Sequence, residues 1–436
     1  MTSAFRDIPI EQLCTKVSTG ATPLRSRNDF YQAGTIDWYK TGELKDWYLG
    51  PAAERITEKA LEETSAKLFP ADTVLMAMYG DGKTITSMGI LRAPAATNQA
   101  CSAMLVDEEK CDTRYFFYAL KSRRHLLIKV ASGGAQRNLS GKLIKEFILP
   151  IPALPVQRRI AGILSAYDEL MENSQRRVRI LEAMARTIYR EWFAHFRFPG
   201  HEKLPRVASP LGDIPKGWEV KPLGSLMADH IGGGWGKEIT DEDHTEAAWV
   251  IRGTDIPNAR SCQVANVPHR FHTVSNIRSR RLQAGDIVFE VSGGSKGQPV
   301  GRTLLVTPQL LSAFGEDAVI CASFCKRVRP DTAGYGSELL YLSFLEGYES
   351  GEIEQFQVQS TGISNFKWTE YLAKAIRVIP PESLRARFRE RVAPLISQIA
   401  TLGLQIHNLR STRDLLMPRL LSGELTLNEG QSSKSS

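Results

Sequence analysis

The stretch ILPIPALPVQRRIAGILSAYDELMENSQRRVRILEAMARTIYREWF, residues 148–193, is matched by VIPPESLRARFRERVAPLISQIATLGLQIHNLRSTRDLLMPRLLSGEL, residues 378–425. Few residues are identical, but the apolar residues keep a constant offset, as Val156 and Leu384 show (384 − 156 = 228). The same offset holds along the whole stretch without a gap, which indicates an internal duplication. The sequence therefore predicts two similar halves, each a globular module followed by a long helix.

The apolar residues of each stretch have the spacing of a coiled coil. In the first copy they fall at 156, 160, 163, 167, 170 and 174, and in the second at 388, 392, 395, 399, 402, 406 and 409. Alternating intervals of four and three predict a narrow seam along which two long helices pack. If the helices pair within one chain, we expect them to be antiparallel, with a module at each end. The alternative is two unrelated core helices, each packed on its own module.

Three residues stand out within these seams. Ser174 and Arg413 interrupt the apolar pattern, and they are candidates for fixing the register between the helices. Pro418 predicts that the second helix ends near Met417, because its ring clashes with the preceding turn.

The globular parts repeat more loosely than the helices. An apolar strand followed by a glycine-rich basic loop occurs twice, as LFPADTVLMAMYGDGK at 68–83 and RLQAGDIVFEVSGGSK at 281–296. Asp7-Ile8-Pro9 is predicted to correspond to Asp213-Ile214-Pro215, each opening its half. Short β-branched runs predict strands, and longer amphipathic runs predict helices. The predicted helices lie near 55–67, 113–131 and 336–354.

The predicted fold class is α+β: two similar target-binding modules joined by two long antiparallel coiled-coil helices, an internal repeat with pseudo-two-fold symmetry. PGHEKLPRVASPLGDIPKG is rich in proline, glycine and charge and is predicted to be a linker, and NEGQSSKSS is predicted to be disordered. The predicted boundaries are 1–150 for the first module, 151–198 for the first helix, 199–217 for the linker, 218–380 for the second module, 381–425 for the second helix and 426–436 for the tail.

Composition narrows the class of partner. The 436 residues carry 55 Lys and Arg against 48 Asp and Glu, a net charge of +7. The basic residues cluster in KSRRH, QRRVR, NIRSRR and KRVR, and several such clusters favour a nucleic-acid partner, although each alone is equally a solvated face. No apolar run reaches the ~18 residues of a membrane span. Six cysteines in this length make no disulfide framework, so we expect a reducing cytoplasm.

The glycine-rich segments do not predict an enzyme. Gly82-Lys83-Thr84 resembles the end of a phosphate-binding loop, but Ala77 replaces the required first glycine, and the following ITSMGIL predicts a strand instead of a helix. His269 and His272 are explained by strand alternation as well as by a metal site. No Asn-Pro-Pro-Phe or Asp-Pro-Pro-Tyr motif for base methylation is present. We therefore predict no catalytic residue and no metal ligand.

Three pairs of loops occupy equivalent places in the two halves. They span 18–27 and 232–238, 79–84 and 292–298, and 134–138 and 362–366. Small residues let the backbone approach a surface, and basic or amide groups suit phosphates and base edges. Each loop alone is explained as an ordinary turn, whereas three pairs on a basic duplicated chain predict binding. The candidate DNA-binding residues are Thr22, Arg25, Arg27, Tyr79, Lys83, Thr84, Arg137, Trp235, Lys237, Ser292, Lys296 and Gln298.

These motifs, in this order and duplicated, resemble the specificity subunit of type I restriction-modification enzymes. The resemblance is carried by TGATP at 19–23, the two strand-plus-loop segments, ILPIPALPVQRRIAGILSAYDEL and LRSTRDLLMPRLLSGEL, and it covers roughly residues 5–425. It implies two target-recognition domains, each of which reads one half of a split double-stranded DNA sequence across an unread spacer. It also implies that the helices set the distance between the two half-sites and bind two methyltransferase subunits. Restriction-translocase subunits then join this complex.

The resemblance implies that this chain has no cofactor of its own, with S-adenosylmethionine, ATP and Mg on the partner subunits. Partner-docking residues are expected at Gln157, Arg158, Arg159 and Arg387, although the second copy has Arg385-Ala386-Arg387 where the first has Gln-Arg-Arg. Two other functions remain open from the residues alone. One is a non-catalytic coiled-coil scaffold whose modules bind protein or RNA, and the other is a self-sufficient DNA enzyme.

Overall fold

A computed structural model describes residues 5–80, 84–131, 137–293, 299–331, 334–360 and 363–425. The chain forms two compact units, the first from residues 1–170 with 409–436 and the second from residues 171–408. Each unit therefore holds one globular module and a segment of each long helix. Among the described residues, no helix is both long and apolar enough to cross a membrane.

The first module is a mixed α+β domain. Its strands are β1 (Arg6–Pro9), β2 (Cys14–Thr19), β3 (Ile36–Tyr39), β4 (Arg55–Ile56), β5 (Val74–Ala77), β6 (Tyr79–Gly80), β7 (Met88–Ile90), β8 (Ala96–Thr97), β9 (Cys101–Val106), β10 (Arg137–Asn138) and β11 (Ile148–Ile151). Its helices are α1 (Ile10–Leu13), α2 (Glu58–Glu63), α3 (Thr113–Ser122), α4 (Arg124–Val130) and α5 (Gly141–Glu146). The first long helix, α6 (Leu154–Tyr189), follows and continues as a π-helical turn, Arg190–Ala194.

The second module has the same kinds of element after a short hairpin. The hairpin is β12 (Arg206–Ser209) and β13 (Gly212–Pro215). The module's strands are β14 (Glu219–Pro222), β15 (Met227–Gly232), β16 (Glu246–Ile251), β17 (His269–His272), β18 (Ile287–Glu290), β19 (Ser292–Gly293), β20 (Thr303–Leu305), β21 (Ala318–Cys321), β22 (Cys325–Pro330), β23 (Gln357–Ser360), β24 (Ile363–Phe366) and β25 (Ile376–Ile379). Its helices are α7 (Ile256–Ala259), α8 (Val274–Arg280), α9 (Pro308–Ser312), α10 (Ser337–Glu349) and α11 (Trp368–Lys374), and the second long helix is α12 (Glu382–Leu421).

The two modules share one topology. The four-stranded antiparallel sheet has the order β2-β9-β5-β7 in the first and β15-β22-β18-β20 in the second. The three-stranded sheets β4-β3-β8 and β17-β16-β21 both combine one antiparallel and one parallel pairing. The pair β1-β11 corresponds to β14-β25. This repeat of α+β modules, each followed by a long helix, confirms the predicted fold class.

The difference in residue number between equivalent positions shows where the second module is longer than the first. It is 213 at the start of β2 and β15 (227 − 14) and 215 at β7 and β20 (303 − 88), but 224 at β9 and β22 (325 − 101). An insertion of nine residues (224 − 215) therefore lies between β20 and β22, where the second module has α9. The offset of 228 seen in the long helices is already reached at β11 and β25 (376 − 148).

The match between Asp7-Ile8-Pro9 and Asp213-Ile214-Pro215 was wrong. Asp213-Ile214-Pro215 lies in β13, the second strand of the extra hairpin, whereas β14 is the strand that pairs with β25. The predicted linker 199–217 contains this hairpin, and Ile214 and Phe198 belong to the buried core of the second module. The tail 426–436 lies outside the described residues.

In the first unit, the two long helices pack antiparallel through a buried polar group. Leu164 of α6 shares a core with Leu420 of α12, while the Asp168 carboxylate, one turn further along α6, accepts from the Arg413 guanidinium, nearly two turns earlier in α12. The second oxygen of Asp168 accepts a 2.6 Å hydrogen bond from the Tyr118 hydroxyl of α3. Arg413 is 7% exposed and Asp168 5% exposed, so this is a buried ion pair. We name Tyr118, Asp168 and Arg413 the polar triad.

In the second unit, the helices also run antiparallel, but aromatic residues make the contact. The ring of Phe388 lies 5.8 Å from Trp192 and 4.8 Å from Phe193, both near the end of the first helix. Trp218 lies 6.0 Å from Phe193 and ties the start of β14 to the same cluster. Burial of several large aromatic side chains is among the strongest stabilising contributions in a core.

The helix seams differ in two respects from the prediction. Leu170, predicted in the first seam, is 49% exposed, and the buried positions are instead Leu164, Asp168 and Met171. The α3 helix covers α6 from the side and shifts the buried face by one residue. The end predicted at Met417 was also wrong, since α12 continues to Leu421. Proline removes only one main-chain hydrogen bond here, and the buried Leu420 and Leu421 hold the last turn in place.

Candidate nucleic-acid interface

In the second module, main-chain hydrogen bonds hold together four segments: the loop after β15, the turn between β21 and β22, the loop after β18, and β24. The Gly234 amide donates to the Cys321 carbonyl at 2.9 Å, so the loop after β15 lies on the turn between β21 and β22. The Val291 amide donates to the Phe324 carbonyl at 2.9 Å, which ties the same turn to the loop after β18. The β19 strand then pairs with β24. We name these four segments the loop cluster of the second module.

The first module has the same loop cluster with the same hydrogen bonds. The Ala21 amide donates to Thr97 at 3.0 Å, and the Met78 amide donates to Ala100 at 2.8 Å. These two bonds are equivalent to those of the second module. The donor residues differ in number by 213 (234 − 21) and the acceptor residues by 224 (321 − 97), which are the offsets of the strands on either side. The β6 strand pairs with β10 as β19 does with β24. The predicted second and third loops of each half are therefore neighbours.

A glycine in each first loop makes this close approach possible. A Cβ atom at Gly20 would lie 1.9 Å from the Thr97 carbonyl oxygen, and one at Gly233 would lie 2.1 Å from that of Cys321. No side chain tolerates such distances, so only glycine lets the loop reach the turn beside it. The glycines in the TGATP and GGGWGK segments therefore serve a local packing requirement.

Several predicted DNA-binding residues lie in these clusters. Tyr79 is exposed and lies opposite Asn138, while the Ser292 hydroxyl donates to the Asn365 amide oxygen at 2.8 Å. Trp235 is exposed on the first loop of the second module. Its equivalent in the first module is Thr22 (235 − 22 = 213), whose hydroxyl donates to the Gln99 side chain. The structure thus brings residues from separate loops onto one surface of each module.

Three of the predicted cations are paired with carboxylates of their own module. Arg25 pairs with Glu54 and its guanidinium lies 4.8 Å from the Trp38 ring. Arg27 pairs with Asp29 and Glu63, and Lys237 pairs with Asp241. These cations remain exposed, but their charge is locally balanced, which weakens their attraction for phosphates.

For the remaining predicted DNA-binding residues, the structure describes the position only in part or not at all. Thr84 is half-buried and lies beside Gly80, and Arg137 lies in β10 opposite Gly80, its side chain outside the description. Lys83, Lys296 and Gln298 lie outside the described residues, so their contacts with DNA stay predictions.

The loop cluster of the second module contains a cavity of about 460 Å³. Trp235 and Phe324 line it and are 41% and 58% exposed, whereas Glu290 lines it from a buried position and Arg302 from a partly buried one. The Arg302 Nε donates to Glu290 at 2.8 Å, and this hydrogen bond raises the pKa of Arg302. The hydrogen bond with Asp255 likewise raises the pKa of Arg252, a further lining residue. Both arginines therefore stay charged.

Phe324, Glu290, Arg302 and Arg252 were not singled out from the sequence. The run VICASFC, residues 319–325, has the composition of one continuous strand, but Cys321 ends β21 and Cys325 begins β22. The alignment of this run with ATNQACSAM of the first module would have shown the turn, because polar residues occupy it there. Burial raises the pKa of the Cys321 thiol to about 12, which leaves it protonated and unreactive.

The predicted docking residues divide into buried and exposed. Gln157 was wrongly assigned, because its side chain is 1% exposed and its hydrogen bonds are satisfied within the first module. It accepts from the Asp112 amide at 3.0 Å and donates to the Pro152 carbonyl at 2.9 Å. Arg158, Arg159 and Arg387 are exposed on the long helices, where their docking role stays a prediction.

Within the described part of the chain, no group of three or more His, Cys, Asp and Glu residues is arranged to hold a metal ion. His269 lies 2.9 Å from the Asp317 carboxylate, and His272, in the same strand, is buried. The run after the Gly82-Lys83-Thr84 motif includes β7, the strand that the sequence predicted in place of a phosphate-binding helix.

Comparison with known proteins shows what the chain is similar to. A family model described as the type I restriction modification DNA specificity domain matches residues 3–182. The specificity subunit of the type I restriction enzyme MjaIX of Methanocaldococcus jannaschii is 26% identical over 428 residues, 95% of this chain and 92% of the relative. The EcoR124I/EcoR124II specificity subunit of Escherichia coli is 26% identical over 155 residues, 35% of this chain and 38% of the relative.

A solved structure agrees at the level of the fold. The crystal structure of a type I restriction-modification S subunit from M. genitalium matches with a TM-score of 0.58 at 14% identity, covering 95% of this chain and 96% of the other. The duplicated modules, the long helices and the matching relatives lead to one conclusion: the first part of the chain matches the DNA specificity domain, and the chain is similar over nearly its whole length to specificity subunits of type I restriction enzymes.

Proposed function

We propose that this chain is the sequence-specific DNA-binding subunit of a type I restriction-modification enzyme and that its two modules read the two halves of a split target. The observation that carries the proposal is the duplicated loop cluster. The same main-chain hydrogen bonds present loops with different side chains in the two modules. A constant framework with variable loops is what independent recognition of two unlike half-sites requires.

The loop residues support contacts of two kinds. Exposed aromatic, hydroxyl and amide side chains such as Tyr79 and Trp235 suit contacts with bases, which carry sequence information. The net charge of +7 favours the phosphate backbone in a way that does not depend on sequence. Because several loop cations are already paired with carboxylates, we expect affinity to depend more on the loop contacts than on net charge.

The long helices are the proposed site of assembly. We propose that two methyltransferase subunits bind along α6 and α12, with Arg158, Arg159 and Arg387 among the contacts, and that restriction-translocase subunits join this complex. We further propose that the chain is non-catalytic, with S-adenosylmethionine, ATP and Mg bound by the partners. Action on the chromosome of the host places the protein in the cytoplasm, which agrees with six free cysteines.

Methylome sequencing of a host that expresses this chain with its methyltransferase tests the proposed function. The expected result is methylation at one split motif, two defined half-sites separated by a fixed number of unread base pairs. Methylation without any sequence preference would contradict it. A matched culture that expresses the methyltransferase alone is the control, and it is expected to show no such motif.

The spacing function has its own test. Insertion of one heptad into both α6 and α12 adds about 10 Å to each helix, since an α-helix rises 1.5 Å per residue. We expect the unread spacer to lengthen while both half-sites stay unchanged. The same motif with the original spacer would show that the helices do not set the spacing.

A further inference from the structure

The loop cluster of the second module contains a cavity, and contacts with the edges of bases that stay stacked in the duplex would not require one. Its mouth carries Trp235 and Phe324, two large apolar side chains that are 41% and 58% exposed. Exposed aromatic groups that flank a recess are typical of a binding site for a flat ring. The Arg270 guanidinium lies 4.8 Å from the centroid of the Trp235 ring, a contact that restrains the position of the ring.

The inner wall of the cavity carries hydrogen-bonding groups in fixed positions. The Glu290 side chain is 2% exposed and is held by Arg302, which is 11% exposed. Glycines at 253 and 293 also line the cavity, and a Cβ at Gly253 would lie 2.2 Å from the Glu290 carboxylate oxygen. Glycine at 253 therefore lets the Glu290 carboxylate pack against the main chain, which fixes this acceptor, with Arg302 beside it, in the cavity wall. A carboxylate accepts from the exocyclic amino group of cytosine, and arginine donates to ring nitrogens and carbonyl oxygens.

The equivalent positions of the first module have different side chains. Ala77 stands in place of Glu290 (290 − 77 = 213), and Ala100 stands in place of Phe324 (324 − 100 = 224). The larger Tyr79 occupies the position of Ser292 (292 − 79 = 213), and the Thr22 hydroxyl, at the position of Trp235, is hydrogen-bonded to Gln99. The first module therefore lacks the aromatic pair and the buried glutamate that line the cavity of the second module.

We propose that this cavity binds a single nucleobase turned out of the DNA duplex, stacked against Trp235 and Phe324 with its polar edge toward Glu290 and Arg302. The inference rests on the proposed function and deepens it. A base that stays stacked presents only its edge in a groove and does not enter a recess. A base outside the stack offers its faces to aromatic side chains and its Watson–Crick edge to fixed polar groups.

Single mismatches in the methylome-derived target test the inference. Binding of the chain, in complex with its methyltransferase and without S-adenosylmethionine, is measured to duplexes with one mismatch at each position of the second module's half-site. A mismatch removes part of the cost of unpairing, so one position is expected to bind at least tenfold more tightly than the intact duplex. The double variant Trp235→Ala/Phe324→Ala is expected to lose this gain, whereas the control Leu211→Ala, which removes an exposed apolar side chain between β12 and β13, keeps it.

The outcomes separate this inference from the proposed function. A gain that persists unchanged in the double variant, or no gain at any position of a target that is still preferred over random DNA, overturns the cavity's role alone. No preference for the target over random DNA overturns the proposed function. Saturable binding of free adenosine or cytidine that is lost in the double variant, without any mismatch gain, would assign the cavity to a small molecule and overturn the inference.

Discussion

The two units fill the same three positions of the repeat with side chains of opposite chemistry. In the first unit these positions hold the polar triad, Tyr118, Asp168 and Arg413, which joins α3, α6 and α12. In the second unit, Leu342, Ile396 and Ala185 stand at the equivalent positions and line one small cavity. The offsets are 224 for the position on the module helix (342 − 118) and 228 for the two on the long helices (396 − 168, 413 − 185).

The difference shows how a duplicated framework diverges. Apolar contacts such as those of Phe388 with Trp192 and Phe193 tolerate small shifts between helices. A buried ion pair does not, because its charges are costly unless their geometry is kept. We therefore expect the first unit to fix the register of its helix segments through the triad, while the second unit depends mainly on apolar burial.

Replacement of one member of the triad is expected to have the largest effect. Asp168→Ile introduces the residue of the second unit but removes the buried partner of Arg413, which costs about 3–5 kcal/mol. The measurement is urea unfolding of the full chain, with hydrogen exchange of the α3 amides to assign the loss to the first unit. The control is Asp414→Asn, which removes the exposed partner of Arg413 and is expected to cost less than about 1 kcal/mol. Equal losses in both variants would contradict the role of the buried pair.

Substitutions at the starts of the two long helices are expected to have a smaller effect on the free energy of unfolding. Gln157→Ala leaves the Asp112 amide and the Pro152 carbonyl without their partner and is expected to cost about 1–3 kcal/mol. Its equivalent Arg385 (385 − 157 = 228) is only half-buried, so Arg385→Ala serves as the matched comparison and is expected to cost less. If Gln157→Ala left stability unchanged and weakened methyltransferase binding alone, Gln157 would be a docking residue after all.

Conversion of the whole triad is expected to have a net effect near zero. The variant Tyr118→Leu/Asp168→Ile/Arg413→Ala reproduces the side chains of the second unit and removes both charges together. Apolar replacement of a buried ion pair is often neutral or stabilising, so the free energy of unfolding should return to within about 1 kcal/mol of the wild type. A triple variant as unstable as Asp168→Ile alone would show that the two units are not interchangeable at these positions.

The smallest effect is expected for a cation already balanced within its module. Arg25 is paired with Glu54, so Arg25→Ala should change DNA affinity less than about threefold. Lys83→Ala, a change in the second predicted loop of the first half, should weaken binding more and reduce the dependence on salt by about one phosphate contact. Titrations at several salt concentrations check both variants. A larger loss for Arg25→Ala would mean that DNA displaces Glu54.

Much of the fold could be predicted from the sequence, because apolar spacing reports burial directly. The constant offset between the two long helices, together with the repeated strand-plus-loop segments, predicted the fold class that the structure has and the family that the comparisons match. The helix near 113–131 is α3 with α4, and the helix near 336–354 contains α10. The predicted loop pairs do follow equivalent strands of the two modules, because their glycines and strand ends repeat in order.

The errors arose where a contact between distant segments overrode a local pattern. The Asp-Ile-Pro match failed because a hairpin was inserted before β14, and three identical residues carry no topological information. Gln157 looked like a surface residue beside two arginines, yet main-chain groups far along the sequence satisfy it. The cavity lined by Phe324 was not predictable, because its lining residues come from segments that are far apart in the sequence and meet only in the folded module.

The most direct test of independent reading is an exchange of residues 1–150 for the corresponding module of another family member, followed by methylome sequencing. The two-reader account predicts that one half-site changes to that of the donor, while the other half-site and the spacer length stay the same. Simultaneous change of both half-sites would contradict the claim that each module recognises its own DNA.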